Sequence, residues 1–472
     1  MGPRPPPPRA AVPGRPGTVA RGCAGADPVL DSRFMTDRRT VLAWGLWDWG
    51  SAAFNAVLVT FIFSVYLTGT VGQNISGTFT PAQYYGFAIA LAGVLIAAIT
   101  PVMGQRSDLR GRRRRALGTW TYLTVALMAS LFFVRDDAAV YFWVGITVMA
   151  IASITFEIAE VNYFAQLTQI STPTTVGRVS GFGWGMGYLG GIVVLLTCYV
   201  GFVAGSGDTR GLLNLPTGDG LNIRVVAVFA AVWFGLFALP VFFRVPEISP
   251  SGEKADTFRE SYRRLFRDLK SLWHEDRNSV FFLISSAVFR DGLAGVFTFG
   301  AILAVSVYGL SAGDVLLFGV AANITAALGA LAGGWLDDYL GPKPVILGSL
   351  VIMIAVGVIL FFVQGPVGFW IFGLILCTFV GPAQSAARSF LSRVAPDNRE
   401  GQMFGLYATT GRAVSWLAPI AFAAFVFLGG GNDRYGILGI VTVLAVGAAL
   451  LMRVTDPTKP ARRASEMGTV EA

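Results

Sequence analysis

Histidine is almost missing from this 472-residue chain, which holds one, His274. Cysteine is scarce too: Cys23, Cys198 and Cys377 stand at spacings that suggest neither a disulfide framework nor a zinc site. These shortages leave little from which to build a histidine-based catalytic centre or a metal centre. No G-x-x-x-x-G-K-[ST] segment occurs, so an ATP-driven pump would lack its phosphate cradle. The third deficit is charge. Charged residues are 14% of the chain, against roughly 25% in soluble proteins, while hydrophobic residues reach 54%. A soluble domain could not bury that much apolar surface. We therefore expect a membrane protein without cofactor or metal, and not an enzyme.

What is present is a series of twelve apolar runs, near 41–66, 82–103, 116–134, 138–165, 180–204, 223–243, 280–308, 314–336, 344–363, 367–390, 403–427 and 435–452. Each is about the 20 residues a helix needs to cross a bilayer. In hydrocarbon a segment must satisfy its own backbone or belong to a closed barrel. The runs lack two-residue alternation, so the fold class is an all-α membrane protein with twelve transmembrane helices. Lys and Arg crowd the tails and the even-numbered connections, and the odd-numbered ones hold only a handful, Arg224 among them. The positive-inside rule then places both termini in the cytoplasm. The net charge of +8 is not gathered on a folded reading surface, so nucleic acid is not an expected partner.

One charged signature occurs twice. Gly104-Gln-Arg-Ser-Asp108-Leu-Arg-Gly111-Arg112-Arg113 follows the second run, and Gly334-Trp-Leu-Asp-Asp338-Tyr-Leu-Gly341-Pro-Lys343 follows the eighth. Both read G-x-x-x-D-x-x-G-x-[KR], about half the embedded length apart. A duplicated half with a duplicated loop suits a two-lobed secondary transporter. The glycines permit a tight turn and close helix approach, and each aspartate can accept from a helix N-terminus or pair with an arginine. Gly104, Asp108, Gly111, Arg112, Gly334, Asp338 and Gly341 are the candidate gating residues. The basic run 112–115 can also touch anionic lipid.

The expected organisation is a disordered extension over 1–34, a six-helix lobe over 35–243, a linker over 244–278, a second lobe over 279–453 and a tail over 454–472. In the linker Phe258, Tyr262, Leu265, Phe266, Leu269, Leu272 and Trp273 recur at helical spacing, which predicts an amphipathic helix on the membrane face.

A charge in hydrocarbon costs about 2.5–3.5 kcal/mol on the translocon scale, so each one needs a reason. Asp48 lies in run 1, Glu157 and Glu160 in run 4, Arg290 and Asp291 in run 7, Gln384 and Arg388 in run 10, and Arg412 in run 11. Runs 1, 4, 7 and 10 are related by three-helix steps, as in 3+3 repeats. If they line a central cavity, nearly every buried charge faces water or solute. Asp48, Glu157, Glu160 and Asp291 are candidates for proton coupling. Asn55, Arg290, Gln384, Arg388 and Arg412 are candidates for solute contact or charge pairing. Adjacent helical residues do not pair well, so Arg290 is expected to meet Glu157, Glu160 or Asp48, and Asp291 to meet Arg412. Trp44, Trp47 and Trp49 read as an interfacial belt around Asp48. In run 5, Gly183, Gly187 and Gly191 form a smooth stripe for close helix packing.

These residues resemble the major facilitator superfamily, whose best-known signature is the G-x-x-x-D-x-x-G-R-R loop. Within it the chain is similar to the vacuole-effluxer-like branch related to the autophagy amino-acid effluxer. The likeness is carried by Asp48-Trp49 with Ala53-Phe54, by Arg178-Val-Ser180-Gly-Phe-Gly183 with Gly187-Tyr-Leu-Gly-Gly191, by Phe237-Ala-Leu-Pro240 and by Asp291-Gly292. Gln384 with Arg388-Ser389, then Phe404-Gly-Leu-Tyr407 and Gly411-Arg412, complete it. The resemblance implies two pseudo-symmetric six-helix lobes, alternating access and a small solute as cargo. Leu109, Ser51, Arg290 and Ala387 depart from the pattern. Arg290 adds a cation to the expected cavity, which favours a carboxylate-bearing solute such as an amino acid.

The expected activity is proton-coupled export of a small solute by a monomer, in contact with membrane lipids, in a bacterial plasma (inner) membrane. A membrane sensor or scaffold on the same fold and a multidrug-type proton antiporter are the alternatives. Asp291→Asn is expected to abolish driven transport.

Overall fold

A computed structural model describes residues 37–76, 81–205, 207–247, 258–310, 312–396 and 399–456, with positions 2 and 78. Apart from position 2, the 1–34 extension lies outside the described residues, as does most of the 454–472 tail. Among the described residues twelve helical spans are long and apolar enough to cross a membrane. Spans 1 to 6 are Arg38–Asn74, Tyr84–Leu109, Arg113–Phe133, Ala139–Ile170, Val176–Val203 and Gly218–Arg244. Spans 7 to 12 are Arg277–Ser306, Leu317–Leu340, Pro342–Phe362, Gly365–Val394, Glu400–Leu428 and Asp433–Met452.

The two halves pack by the same plan. Span 1 lies on spans 5 and 6, span 2 on span 4, and span 3 on spans 4 and 6. Six spans later, span 7 lies on 11 and 12, span 8 on 10, and span 9 on 10 and 12. The contacts between lobes repeat as well: span 2 packs on span 11 as span 8 packs on span 5, and span 4 meets 11 as span 10 meets 5. Identical partner rules in both halves are what a duplicated unit with a pseudo-two-fold axis requires.

Two spans depart from a regular helix. Span 1 widens to a π-helix over Ala53–Phe61, a form that often marks functional sites. Span 11 breaks at Ser415-Trp416 into Glu400–Val414 and Leu417–Leu428. The connection between spans 5 and 6 holds a short antiparallel hairpin, Thr209–Arg210 with Leu215–Pro216. Between the lobes, Phe258–Glu275 is a helix packed on spans 2 and 7, with Ser261 and Leu265 buried and the Tyr262 hydroxyl donating to the Ala98 carbonyl at 3.1 Å.

The tryptophans of span 1 correct an expectation. Trp44 and Trp47 are fully buried and clasp Tyr163 of span 4 between them, each ring centroid 4.3 Å away. Their indole N–H groups donate to Tyr163 O at 3.1 Å and Thr121 Oγ1 at 3.0 Å. A belt residue would keep one end wet; these two are sealed in the protein, and both N–H groups bond inside the lobe.

Candidate functional site at the seam between the lobes

Close approach across the seam begins with missing side chains. On span 5, Gly177, Gly181 and Gly185 face span 8, where an added Cβ would stand 2.6 Å from Gly334 O, 2.4 Å from Ala330 O and 3.2 Å from the Leu331 side chain. On span 2, Gly104 meets Gly401 of span 11, whose carbonyl would be 2.0 Å from such a carbon. The stripe singled out in the sequence points elsewhere. Gly183 makes room for Arg388 and Trp44, Gly187 for Asp48, and Gly191 for Ala52. Span 5 thus carries two glycine rows, one for its own lobe and one for the other.

At the end of the bundle bearing the repeated loops, each loop aspartate caps a helix of the opposite lobe. Asp108 accepts from Gly401 N at 3.2 Å and Gln402 N at 3.0 Å, the first turn of span 11. Asp338 accepts from Gly177 N at 2.7 Å and Arg178 N at 3.1 Å, the first turn of span 5. A carboxylate there meets both orphan N–H groups and the positive end of the helix dipole. Arginines complete each latch. Arg113, with a side chain 1% exposed, binds Asp108 at 2.7 Å and also Glu400 of the other lobe. Arg178 pairs with Asp338 at 2.7 Å, and Arg393 joins Asp337 at 2.5 Å and Asp338 at 3.5 Å. Ser389 donates to Asp337. Gly111 and Gly341 turn the loops at φ +61° and +95°, in the region that favours glycine. Arg112 is exposed, and its neighbour Arg113 takes the latch position.

Further into the membrane the charges divide by lobe. Asp48, Glu157 and Glu160 belong to the first lobe, and Arg290, Arg388 and Arg412 to the second. Arg388 is sunk, 1% exposed, and tied to span 5: its Nε donates to Ser180 Oγ at 3.0 Å and its Nη2 to Ser180 O at 2.5 Å. Its Nη1 faces Asp48 Oδ2 at 3.7 Å, and the Tyr163 hydroxyl donates to the same oxygen at 3.4 Å. Trp44 and Phe164 each flank the guanidinium at 5.0 Å. Beside it the Tyr188 hydroxyl donates to Gln384 Oε1 across the seam at 3.1 Å.

Arg412 of span 11 binds Glu157 of span 4 at 2.8 Å. Both border a cavity of about 550 Å³, counting its open mouth, together with Glu160 and Asn55. The hydrogen bonds and ion pairs named here between the lobes lie no higher than this level, in the half of the bundle nearest the loops.

Two expected pairings are replaced. Arg412 takes Glu157 rather than Asp291. Arg290 turns to Tyr407, donating to its carbonyl at 3.2 Å and lying 3.7 Å over its ring. Asp291, 8% exposed, accepts from Ala418 N at 2.6 Å and so caps the second half of broken span 11. That contact lies inside the second lobe, away from the cavity lining, because a helix start in lipid needs an acceptor more than Arg412 needs a second carboxylate. Sequence reasoning missed Arg113, Arg393, Asp337, Glu400, Ser180 and Tyr163. Arg113 and Asp337 sit within the quoted loops and Ser180 within the quoted span-5 segment; Arg393, Glu400 and Tyr163 carried no signal beyond being polar groups near span ends or inside spans.

Comparisons with known proteins bear on this geometry. The profile described as vacuole effluxer Atg22 like matches residues 165–464, and that of the major facilitator superfamily matches residues 2–195. An uncharacterized MFS-type transporter of Bacillus subtilis (strain 168), YxiO, is 23% identical over 416 residues, covering 88% of this chain and 95% of that protein. Autophagy-related protein 22 of Cryptococcus neoformans var. neoformans serotype D is 24% identical over 302 residues, 59% of this chain and 50% of that protein. The chain thus spans about half the length of the fungal relatives it matches. Among solved structures, the proton:xylose symporter XylE aligns with a TM-score of 0.69 at 14% identity, covering 91% of this chain and 97% of that one. The transporter FucP aligns at 0.67 and 16% identity, covering 88% and 98%. At these identities the likeness is one of fold.

Proposed function

This chain belongs to the vacuole effluxer Atg22-like family of the major facilitator superfamily, and from that premise we propose that it exports a small solute bearing an amine and a carboxylate by proton-coupled alternating access. It is an integral multi-pass membrane transporter; the cargo, the ion and the direction are our reading. The observation that carries it is the placing of charge at the seam: Asp48, Glu157 and Glu160 on one lobe, Arg290, Arg388 and Arg412 on the other, with Glu157, Glu160 and Arg412 at the floor of a cavity. Such a floor offers a carboxylate its cations and an amine its anions, and either partner competes with a tie between the lobes.

Asp48 is our coupling residue. Arg388 and Tyr163 both address its Oδ2, so loading a proton there removes one of the attractions across the seam. Glu157 and Glu160 are read as solute contacts with a secondary part in coupling, and Asn55, Gln384 and Arg290 as polar lining. Asp291 leaves the coupling set for its cap. The two loop latches hold the loop end closed, and their glycines set how closely it can close. With the basic connections inside, as the charge bias supports, the loop end faces the cytoplasm of a bacterial surface membrane. The cavity then opens outward in this conformation, the state in which an exporter releases its load.

Purified protein in liposomes provides the test. Vesicles preloaded with an unlabelled amino-acid mixture should accumulate labelled amino acid by exchange, and a pH gradient should drive net flux. Asp48→Asn should retain exchange while net flux falls at least about tenfold, as expected when one protonation step is removed. Exchange no greater than in empty vesicles, with solute binding intact, would favour the sensor reading instead.

A further inference from the structure

We infer that the Arg412 guanidinium is a tethered occupant of an ammonium-binding subsite formed by Glu157 and Glu160, and that the amine of a transported solute takes its place. The inference rests on the transporter reading and deepens it.

The cavity against spans 1, 2 and 4 is built by the first lobe alone, apart from Arg412. Its polar lining is Asn55, Ser153, Glu157 and Glu160, and its aromatic wall is Phe54 and Phe156, stacked at 4.8 Å. Glu157 and Glu160 are three residues apart, on one face of span 4. Two carboxylates in so enclosed a place repel unless a cation joins them. The opposite lobe supplies one: Arg412 Nη2 binds Glu157 Oε2 at 2.8 Å. Glu160 has no hydrogen bond or ion pair of its own among the described residues. Within the cavity lining two acids face one base, and Arg290, outside that lining, acts on Glu160 only through space.

Arg178 of the loop latch is 56% exposed but lies outside the cavity lining, so the comparison that bears on Arg412 is with the arginines sunk in the seam. Arg113 and Arg388 have side chains 1% exposed, and each is held by several partners. These are fixed parts of the seam. The Arg412 side chain is 42% exposed, against 12% for Glu157, and has a single ion pair. The guanidinium therefore rests in the mouth of the subsite, within reach of solvent, while its carboxylate lies deeper. Span 11 breaks three residues later, at Ser415, so Arg412 ends a half-helix that can swing without its second half. An ammonium group with the charge of this guanidinium and a smaller volume fits the same carboxylates, and the aromatic wall suits it through cation–π attraction. Its arrival would cut the tie between spans 4 and 11, leaving the seam to the latches below. Loading and release of the upper closure become one event.

The experiment uses the full-length protein in nanodiscs and 1-propylamine as probe, with 1-propanol as its uncharged counterpart. Thermal unfolding is followed against concentration of each. Arg412→Gln should be stabilised by propylamine with a midpoint at least about tenfold lower than wild type, because no internal cation competes. Propanol should do nothing in either protein, and adding Glu160→Gln should remove the gain. Equal midpoints for wild type and R412Q, or equal responses to amine and alcohol, overturn the proposal. Should R412Q not fold, Arg412→Lys, with its shorter reach, should shift the midpoint in the same direction by a smaller factor, and no shift there also overturns it. The two readings fail separately. An amine response in R412Q without vesicle flux in wild type sinks the transporter; flux without that response sinks the subsite.

Discussion

Asp291 and Arg290 are neighbours in sequence with opposite duties. Arg290 lies on Tyr407 of span 11, whereas Asp291 holds the start of that span's second half-helix. A carboxylate serving as an N-cap contributes about 0.5–2 kcal/mol. Asp291→Ala should therefore lower stability by an amount in that range, seen as a lower unfolding midpoint, while leaving exchange flux near wild type. Asparagine, which keeps an acceptor oxygen, should lower it less. Thermal unfolding alongside vesicle exchange checks both; loss of exchange at unchanged stability would return Asp291 to the transport pathway. The buried charges themselves were legible in the sequence, because an acid or arginine in an apolar run stands out on composition alone. Their partners were not. Which carboxylate Arg412 meets depends on helix rotation and on the break at Ser415, and neither leaves a mark in residue spacing.

At the scale of the helix, spacing read well where geometry is regular and failed where it is not. The repeated loops could be read in chemical terms, as acceptors waiting for helix starts, since Gly-Asp-Gly patterns restrict what the backbone can do. Their targets, the first turns of spans 11 and 5, needed the fold. A regular helix with 3.6 residues per turn would put Asp48, Ser51 and Asn55 on one face, and the π-helix from Ala53 changes that pitch. Ser51 donates to its own helix at Asp48 O, while Asn55 reaches the cavity. Two glycine rows on span 5 looked like one, because the run of glycines does not say which neighbour each faces. Gly104→Val offers a direct trial of closure. Its branched side chain would strike the Gly401 carbonyl, and overpacking of this kind costs about 1–3 kcal/mol. Spin-label distances across the loop end should lengthen, and exchange should fall about tenfold or more at unchanged expression. Unaltered distances would mean the seam does not need that contact.

For the whole molecule, duplication was the most legible property: twelve runs and a twice-written loop are enough to expect two lobes, and the packing partners repeat in both. What the duplication conceals is asymmetry. Within the membrane the ion pairs between the two copies set acids of the first lobe against arginines of the second, whereas at the loop end both lobes supply both signs. If attraction across the seam holds the lobes, Glu157→Arg alone should open the loop end by repelling Arg412. Combining it with Arg412→Glu should close it again. Spin-label distances read out such a cycle, and we expect a coupling of about 0.5–3 kcal/mol, the range for residues in contact. A double variant as open as the single one would show that the pair is incidental.

A carrier arranged this way behaves like a charged condenser whose plates are its two halves. Drawing the plates apart takes work, and a medium of aligned dipoles between them lowers that work. A molecule with both signs of charge is such a medium, plus end toward one plate and minus end toward the other. An ion of a single sign leaves one plate bare and keeps most of the work undone. Preference for dipolar freight would then follow from the wiring of the frame, before any side chain has fitted the shape of what it carries.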